Sequence, residues 1–384
     1  MSEFIKRITA AVTAMTVTLC GSVTAYSEGE VTGIAKAAIV TEASTGQVLY
    51  EHNSHERLPM ASVTKLMCLL IWAEEMEKGT FNMDTVITAT ARANAMDGSV
   101  IWLNVGEEMS AYDMIRSVVI ASANDACVAV CEYIAGTEEM FVERMNKRAQ
   151  ELGMSDTHYD NCVGFDSDTH YTSAYDTAIL SAAVSEYDCY NEFFNTRLDY
   201  VREGERQTQL LNTNKLMQRY DGIIGGKTGT TDKAGCCLAV WAKRGNMKLC
   251  AVALGCKESE QRFTACTDLL DYGFSGFELY RTAVDSDVLT PVTVTEGLEK
   301  QADIRVKRLN TIVIPKGSSK RIEYTHTVVD SLSAPVQYGE KVGEVRASLD
   351  GEEIFYSDIV TTGEVGELNF FSSLLIIIRR FFSM

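Results

Sequence analysis

Two residues three positions apart, Ser62 and Lys65 in the run MASVTKLM, have types and spacing that could do chemistry. A serine hydroxyl needs a base within hydrogen-bonding reach before it attacks a carbonyl. Residues three apart on a helix share a face, so a helical run would stand Lys65 beside Ser62. A lysine with its ordinary pKa near 10.4 stays protonated and is no base. The apolar neighbours Val63, Leu66, Met67, Leu70 and Trp72 would desolvate the ammonium and depress that value. A helix starting here would also point free amides at an oxyanion formed near Ser62. Alone, this spacing is a weak signal.

Two further groups add to it. Ser122-Ala123-Asn124 lies in IASANDACVAV, at a break between apolar helical runs. Its hydroxyl and amide could relay protons and hold a substrate carbonyl, although Ser and Asn also occur at helix ends for structural reasons. Lys227-Thr228-Gly229-Thr230 lies in GIIGGKTGTTDKAGCCLAVW, near the start of a strand-like run. The cation and hydroxyls suit a carboxylate, and Gly229 lets a backbone come close. A phosphate-binding loop would need GxxxxGK[ST] opening a helix. Gly222 to Gly226 falls one residue short of that, and a strand follows.

SxxK, SxN and KTG in this order form the motif set of active-site-serine penicillin-binding proteins and β-lactamases. The chain resembles the low-molecular-mass penicillin-binding proteins, the serine-type D-alanyl-D-alanine carboxypeptidases. TGQVLYEHN, LPMASVTKLM, GSVIWLNVGEEMS, IAGTEEMFVERMNKRAQELGM and HYTSAYD carry the likeness over about residues 36–280. Ala123 departs from it, since relatives often have glycine there.

The resemblance implies that Ser62 attacks the penultimate D-alanine of a peptidoglycan stem peptide. Lys65 would accept the serine proton, and Ser122, supported by Lys227, would protonate the leaving amine. Asn124 would bind the substrate backbone, and the N–H groups of Ser62 and Thr230 would form the oxyanion hole. Arg262, before the LLxxGF segment, would grip the terminal carboxylate, with Lys227, Thr228, Gly229 and Thr230 lining the same side. β-Lactam antibiotics would acylate Ser62 and stay. No cofactor is implied. His170 is expected to structure its loop and not to act as a base.

Three other readings stand beside this one. A class A β-lactamase would need a glutamate in the loop at 155–175, which carries Asp156, Asp160, Asp166 and Asp168 but no Glu. A D,D-endopeptidase of the same fold is harder to separate from a carboxypeptidase. A non-catalytic penicillin sensor would have no need of Lys65.

The positioning elements can be read from periodicity. Residues 36–50 read as a hairpin around Ser44-Thr45-Gly46, and Ala61 to Glu77 as a strongly apolar helix. Helices dominate from Ala111 to Glu151, with Gly136 and Gly153 as stops. A polar loop follows at 155–175, then a helix from about Tyr175 to Tyr187. Strands return at 222–256 with a Gly245-Asn246 turn, and a last helix is expected from Arg262 to Tyr280. This predicts an α+β, β-lactamase/transpeptidase-like domain over 30–283, an antiparallel sheet flanked by helices. Val, Thr and Ile then alternate with charge, and three of the four prolines fall in this part, predicting a small all-β domain over 284–365.

The chain ends and the composition bear on where it works. Lys6 and Arg7 before an apolar run to Cys20, then Val23-Thr24-Ala25, read as a signal peptide over 1–25. That places the protein outside the cytoplasm. Residues 367–384 segregate into an apolar face and a polar face with Arg379 and Arg380, the pattern of an amphipathic helix anchored at a membrane surface. A formal net charge of −18 argues against nucleic acid as a partner. Ten cysteines follow the signal segment, most of them in apolar stretches where they read as small buried thiols. Their spacing does not resemble a zinc site, and no metal ligands are assigned.

Overall fold

The computed structural model describes residues 34–284 and 286–370. The expected signal peptide and the expected anchor helix from residue 371 lie outside these residues. The chain forms two compact units that divide after Gly276.

The first unit is organised on five antiparallel strands: β1 (Ala37–Glu42), β2 (Val48–His52), β3 (Ile223–Thr231), β4 (Gly235–Arg244) and β5 (Met247–Cys256). Their order is β2-β1-β5-β4-β3, so the sheet joins the two ends of the unit. β1 is buried along its whole length, as expected of a strand covered on both faces. Side chains alternate across a sheet, and here each face has its own cover. Ile39, Trp241, Cys250 and Val252 belong to the large helical core. On the other face Gly273 of the last helix presses on Leu249, where an added Cβ would lie 2.5 Å from Leu249 Cδ1.

Among the described residues the longer helices of this unit are α1 (Lys65–Glu77), α2 (Ala111–Ala121), α3 (Asn124–Ala135), α4 (Glu138–Leu152), α5 (Ala174–Val184) and α6 (Ser259–Gly276). Every residue of α1 from Lys65 to Ala73 is buried. Its all-round apolarity is that of a central helix and not of a surface one. Ser110 and Ser173 cap α2 and α5, each hydroxyl accepting from the N–H three residues on.

The helix expected to run to Tyr280 ends at Gly276. Phe277–Arg281 is a strand paired antiparallel with Thr311–Pro315. FELYR is β-prone and finds a partner strand, while glycine costs helix stability. The second unit therefore starts at Phe277, a little before the expected change of texture. It is all-β. Its largest sheet joins Ile304–Val306, Glu352–Thr361, Lys341–Leu349 and Ile322–Val328 in that order. Val292, Val345, Phe355 and Ile359 are among its core residues.

Candidate active site

A 3-10 turn, Ala61–Thr64, delivers Ser62 to the start of α1. Ala61 sits at a positive φ of 49°, and two glycines from elsewhere in the unit press on this turn. A Cβ on Gly164 would lie 1.9 Å from the Ala61 carbonyl oxygen. A Cβ on Gly229 would lie 2.6 Å from the Met60 carbonyl oxygen. The close approach that Gly229 permits is thus to the nucleophile's own turn. Gly164 belongs to the polar loop at 155–175. Its turn is built by Asn161, whose Oδ1 accepts from the N–H groups of Val163, Gly164 and Phe165.

Lys65 is fully buried. Its Nζ reaches Ser62 Oγ at 2.9 Å, Asn124 Oδ1 at 2.7 Å and the Val163 carbonyl at 2.9 Å. Burial depresses its pKa below the ordinary lysine value, with neighbouring thiols acting weakly the other way. The amide of Asn124 has one orientation, because its Nδ2 donates to the Asp97 carbonyl at 2.6 Å. Asn124 Oδ1 and the Val163 carbonyl can only accept. When Lys65 is neutral, its two protons satisfy them, and its lone pair is left to accept from the Ser62 hydroxyl.

Ser122 ends α2 in the left-handed conformation, φ 63° and ψ 32°, one that costs a non-glycine residue energy. Its Oγ accepts from Lys227 Nζ at 2.8 Å, and the same ammonium donates to the Thr228 carbonyl at 2.9 Å. Lys227 is fully buried, and burial first and the charge of Lys65 second push its pKa well down. Since Ser122 accepts from Lys227, its own proton is free to be donated. Thr228 Oγ1 bonds Thr213 Oγ1 at 2.7 Å, fixing β3 beside the site.

Arg262 lies in the first turn of α6, which begins at Ser259 and not at Arg262 as read from the sequence. Its Nη1 donates to Thr230 Oγ1 at 2.9 Å and to the Gly229 carbonyl at 3.0 Å, and Nη2 donates to Ser259 Oγ at 3.1 Å. The guanidinium is thus held against the back of the KTGT strand. The nine sequence-assigned residues form three linked groups: Ser62, Lys65 and Asn124; Ser122, Lys227 and Thr228; Gly229, Thr230 and Arg262.

Sequence reasoning missed the support from Asp125, but it read His170 as structuring its loop. Buried Asp125 accepts from the N–H groups of Ile101 and Leu103 and pins that loop beside Asn124. His170 Nδ1 accepts from the Asp160 N–H at 3.0 Å, which leaves Nε2–H to donate to Thr64 Oγ1 at 2.8 Å. Thr64 in turn donates to the Ala61 carbonyl at 2.7 Å. His170 therefore braces the nucleophile's turn, and burial lowers its pKa to about 4.

Known proteins share this arrangement of sequence and fold. The profile of the D-alanyl-D-alanine carboxypeptidase family matches residues 23–258, and that of the penicillin-binding protein 5 C-terminal domain matches residues 277–367. D-alanyl-D-alanine carboxypeptidase DacF of Bacillus subtilis (strain 168) is 36% identical over 342 residues, covering 88% of each chain. DacC of Escherichia coli (strain K12) is 30% identical over 349 residues, covering 88% of this chain and 86% of that one. Crystal structures of penicillin binding protein 5 from Haemophilus influenzae superpose with a TM-score of 0.77 at 27% identity, over 87% of this chain and 98% of that one. The fold and the family agree, and the chain belongs to the D-alanyl-D-alanine carboxypeptidase family.

Proposed function

We propose that this protein removes the terminal D-alanine from peptidoglycan stem peptides through an acyl-enzyme on Ser62. Neutral Lys65 takes the Ser62 proton as Oγ bonds to the penultimate D-alanine carbonyl carbon. The backbone N–H groups of Ser62 and Thr230 hold the oxyanion. As the C–N bond breaks, Ser122 gives its proton to the departing amine and recovers one from Lys227. The proton held by Lys65 returns through solvent to Lys227, so Lys65 is neutral again; it then takes a proton from the water that attacks the ester and passes it to Ser62 Oγ as the shortened peptide leaves.

The observation that carries this reading is the cradle of Lys65 between Ser62 Oγ, Asn124 Oδ1 and the Val163 carbonyl. Two fixed acceptors leave one direction for the base's lone pair, and that direction is the nucleophile. Arg262 supports the choice of a substrate with a free carboxylate. It donates to Thr230 Oγ1, so the Thr230 proton is free to point at the substrate. The second Nη2 proton adds a charge-assisted donor.

Carboxylates of the 155–175 loop are engaged elsewhere, which supports slow release of penicillin and not its destruction. Asp166 accepts from Thr231 Oγ1 at 2.6 Å, and Asp160 from Thr169 Oγ1 at 2.6 Å. The substrate places the enzyme outside the cytoplasm. Residues 367–384 are the proposed anchor at the outer membrane face. Among the described residues no helix is long and apolar enough to cross a membrane.

The test is release of D-alanine from a pentapeptide, run beside labelling with fluorescent penicillin. Wild type is expected to do both, and Ser62→Ala neither, with its melting temperature nearly unchanged. Labelling of Ser62→Ala would mean another nucleophile. Labelling of wild type without D-alanine release would favour a sensor.

A further inference from the structure

Directly behind the base lies a feature that the reaction does not use. Cys68 of α1, Cys127 and Cys131 of α3 and Cys162 of the 155–175 loop lie there, all fully buried and none in a disulfide. The Sγ atoms of Cys68, Cys127 and Cys131 lie within 4.8 Å of one another. The fourth cysteine, Cys162, borders this trio through its backbone and is buried beside it. Its backbone carbonyl accepts from the Cys68 and Cys127 thiols at 3.2 and 3.5 Å.

We propose that these four cysteines form a binding site for one thiophilic d10 cation, zinc(II) or copper(I). A tetrahedral thiolate shell with metal–sulfur bonds of about 2.3 Å needs sulfurs about 3.8 Å apart. The Cys68, Cys127 and Cys131 sulfurs are within about 1 Å of that spacing, and Cys162 completes the shell by rotating its thiol away from Glu138. Thiolate ligands select soft cations over magnesium or calcium. Loading is proton exchange without redox: each coordinating thiol gives its proton to solvent as its sulfur bonds the ion. Cys162 already has an acceptor to orient it, since its thiol donates to Glu138 Oε1 at 3.4 Å. Arg92 holds the other oxygen of that carboxylate at 2.8 Å.

The placement of the ligands gives the site a role. Cys68 is three residues after Lys65, Cys127 is three residues after Asn124, and Cys162 precedes Val163. The three segments that bring the sulfurs together are the three that build the cradle of Lys65. An ion here staples the base, its amide acceptor and its carbonyl acceptor from behind. It touches neither substrate nor the reacting atoms, so the cysteines act as positioning residues. Small apolar packing alone would call for such residues somewhere in the core, but not for three of their sulfurs to meet at one point beside a fourth cysteine.

The test uses the full chain purified without oxygen, unfolded, and refolded with zinc(II), copper(I) or, as a spectroscopic probe, cobalt(II). Elemental analysis should find about one zinc or copper ion per folded chain after dialysis against a weak chelator. The cobalt form should show thiolate-to-cobalt charge-transfer bands and tetrahedral d–d bands. Cys127→Ser with Cys131→Ser should lower retained metal about tenfold or more, while Cys189→Ser and Cys250→Ser, outside the cluster, should leave it unchanged. Bound ion should also raise the melting temperature of wild type. Wild type that refolds cooperatively yet retains less than about a tenth of an ion per chain overturns the site, whether or not the double variant folds. Equal metal in wild type and a folded double variant overturns it as well.

Discussion

At the scale of single residues, the chemistry depends on where the lone pair of Lys65 points. Asn124 Oδ1 is one of two acceptors that set it, so Asn124→Ala should cut the rate of penicillin acylation by about a hundredfold or more, the usual contribution of a positioned base. The loss should be larger in rate than in initial binding, which stopped-flow acylation separates. The active form is the neutral amine. Acylation should therefore rise with pH through a value below 10.5, because burial depresses the Lys65 pKa. Gly164 makes the second residue-scale prediction. It combines φ +93° with a backbone oxygen 1.9 Å from any Cβ, whereas Gly46, at φ +72°, meets nothing within 4 Å. Gly46→Ala should cost about 1–2 kcal/mol for its backbone alone. Gly164→Ala should exceed about 3 kcal/mol and slow acylation, since the displaced atoms belong to Ala61 and Ser62. Urea midpoints compare the two. Ser62, Lys65, Ser122 and Lys227 were legible because side-chain chemistry writes them into the sequence. The Val163 carbonyl was not, because a backbone acceptor has no letter of its own.

At the scale of elements, the loop at 155–175 acts as a bracket. It pairs Thr172 with Leu58 and Tyr171 with His158, and through His170 it holds the turn that carries Ser62. His170 is expected to be neutral when folded, with a pKa of about 4 against 6.5 in the unfolded chain. The unfolded state then binds the extra proton between those values, so stability is full above pH 6.5 and falls as pH drops toward 4. The loss should approach about 3 kcal/mol from this one group. Wild type should lose more stability than His170→Asn between pH 7 and 4.5. Equal losses in urea titrations would remove His170 from the account. Element boundaries show where sequence reading stops. The hairpin of β1 and β2, the apolar helix and the turn at Gly245-Asn246 follow local pattern. The end of α6 did not, because Phe277–Arg281 is a strand only when Thr311–Pro315 is there to pair with it. The small hairpin of Leu198–Val201 with Thr208–Leu211 was missed for the same reason: its strands are four residues each and take their identity from pairing.

At the scale of the whole molecule, the chain bears a net charge of −18, yet its site is built around Lys65, Lys227 and Arg262. All three are buried, so in the proposed reaction their charge would act at short range, on a carboxylate that has already entered. The α+β unit and the all-β unit were both legible from texture, since one has strand patterns at its ends and helical ones in its middle and the other keeps a period of two. Convergence of Cys68, Cys127, Cys131 and Cys162 was not, because residues spread over three segments meet only through the tertiary fold. Residues 367–384 carry the membrane prediction. Deletion from Leu368 should release the protein from membranes and leave D-alanine release in solution intact. Continued sedimentation with membranes would refute the anchor.

The strand order β2-β1-β5-β4-β3 also governs when activity can begin during synthesis. β1 gains its inner partner only once β5, ending at Cys256, exists, and Lys227 of β3 and Arg262 of α6 are likewise late arrivals. The serine is made early but stays without Lys227, which supports its proposed acid Ser122, and without the proposed carboxylate grip Arg262 through most of the unit's emergence. Non-local pairing of this kind folds slowly. A half-made chain therefore carries a nucleophile that cannot yet react, and chemistry switches on only when the unit's last strands and helix close over its first.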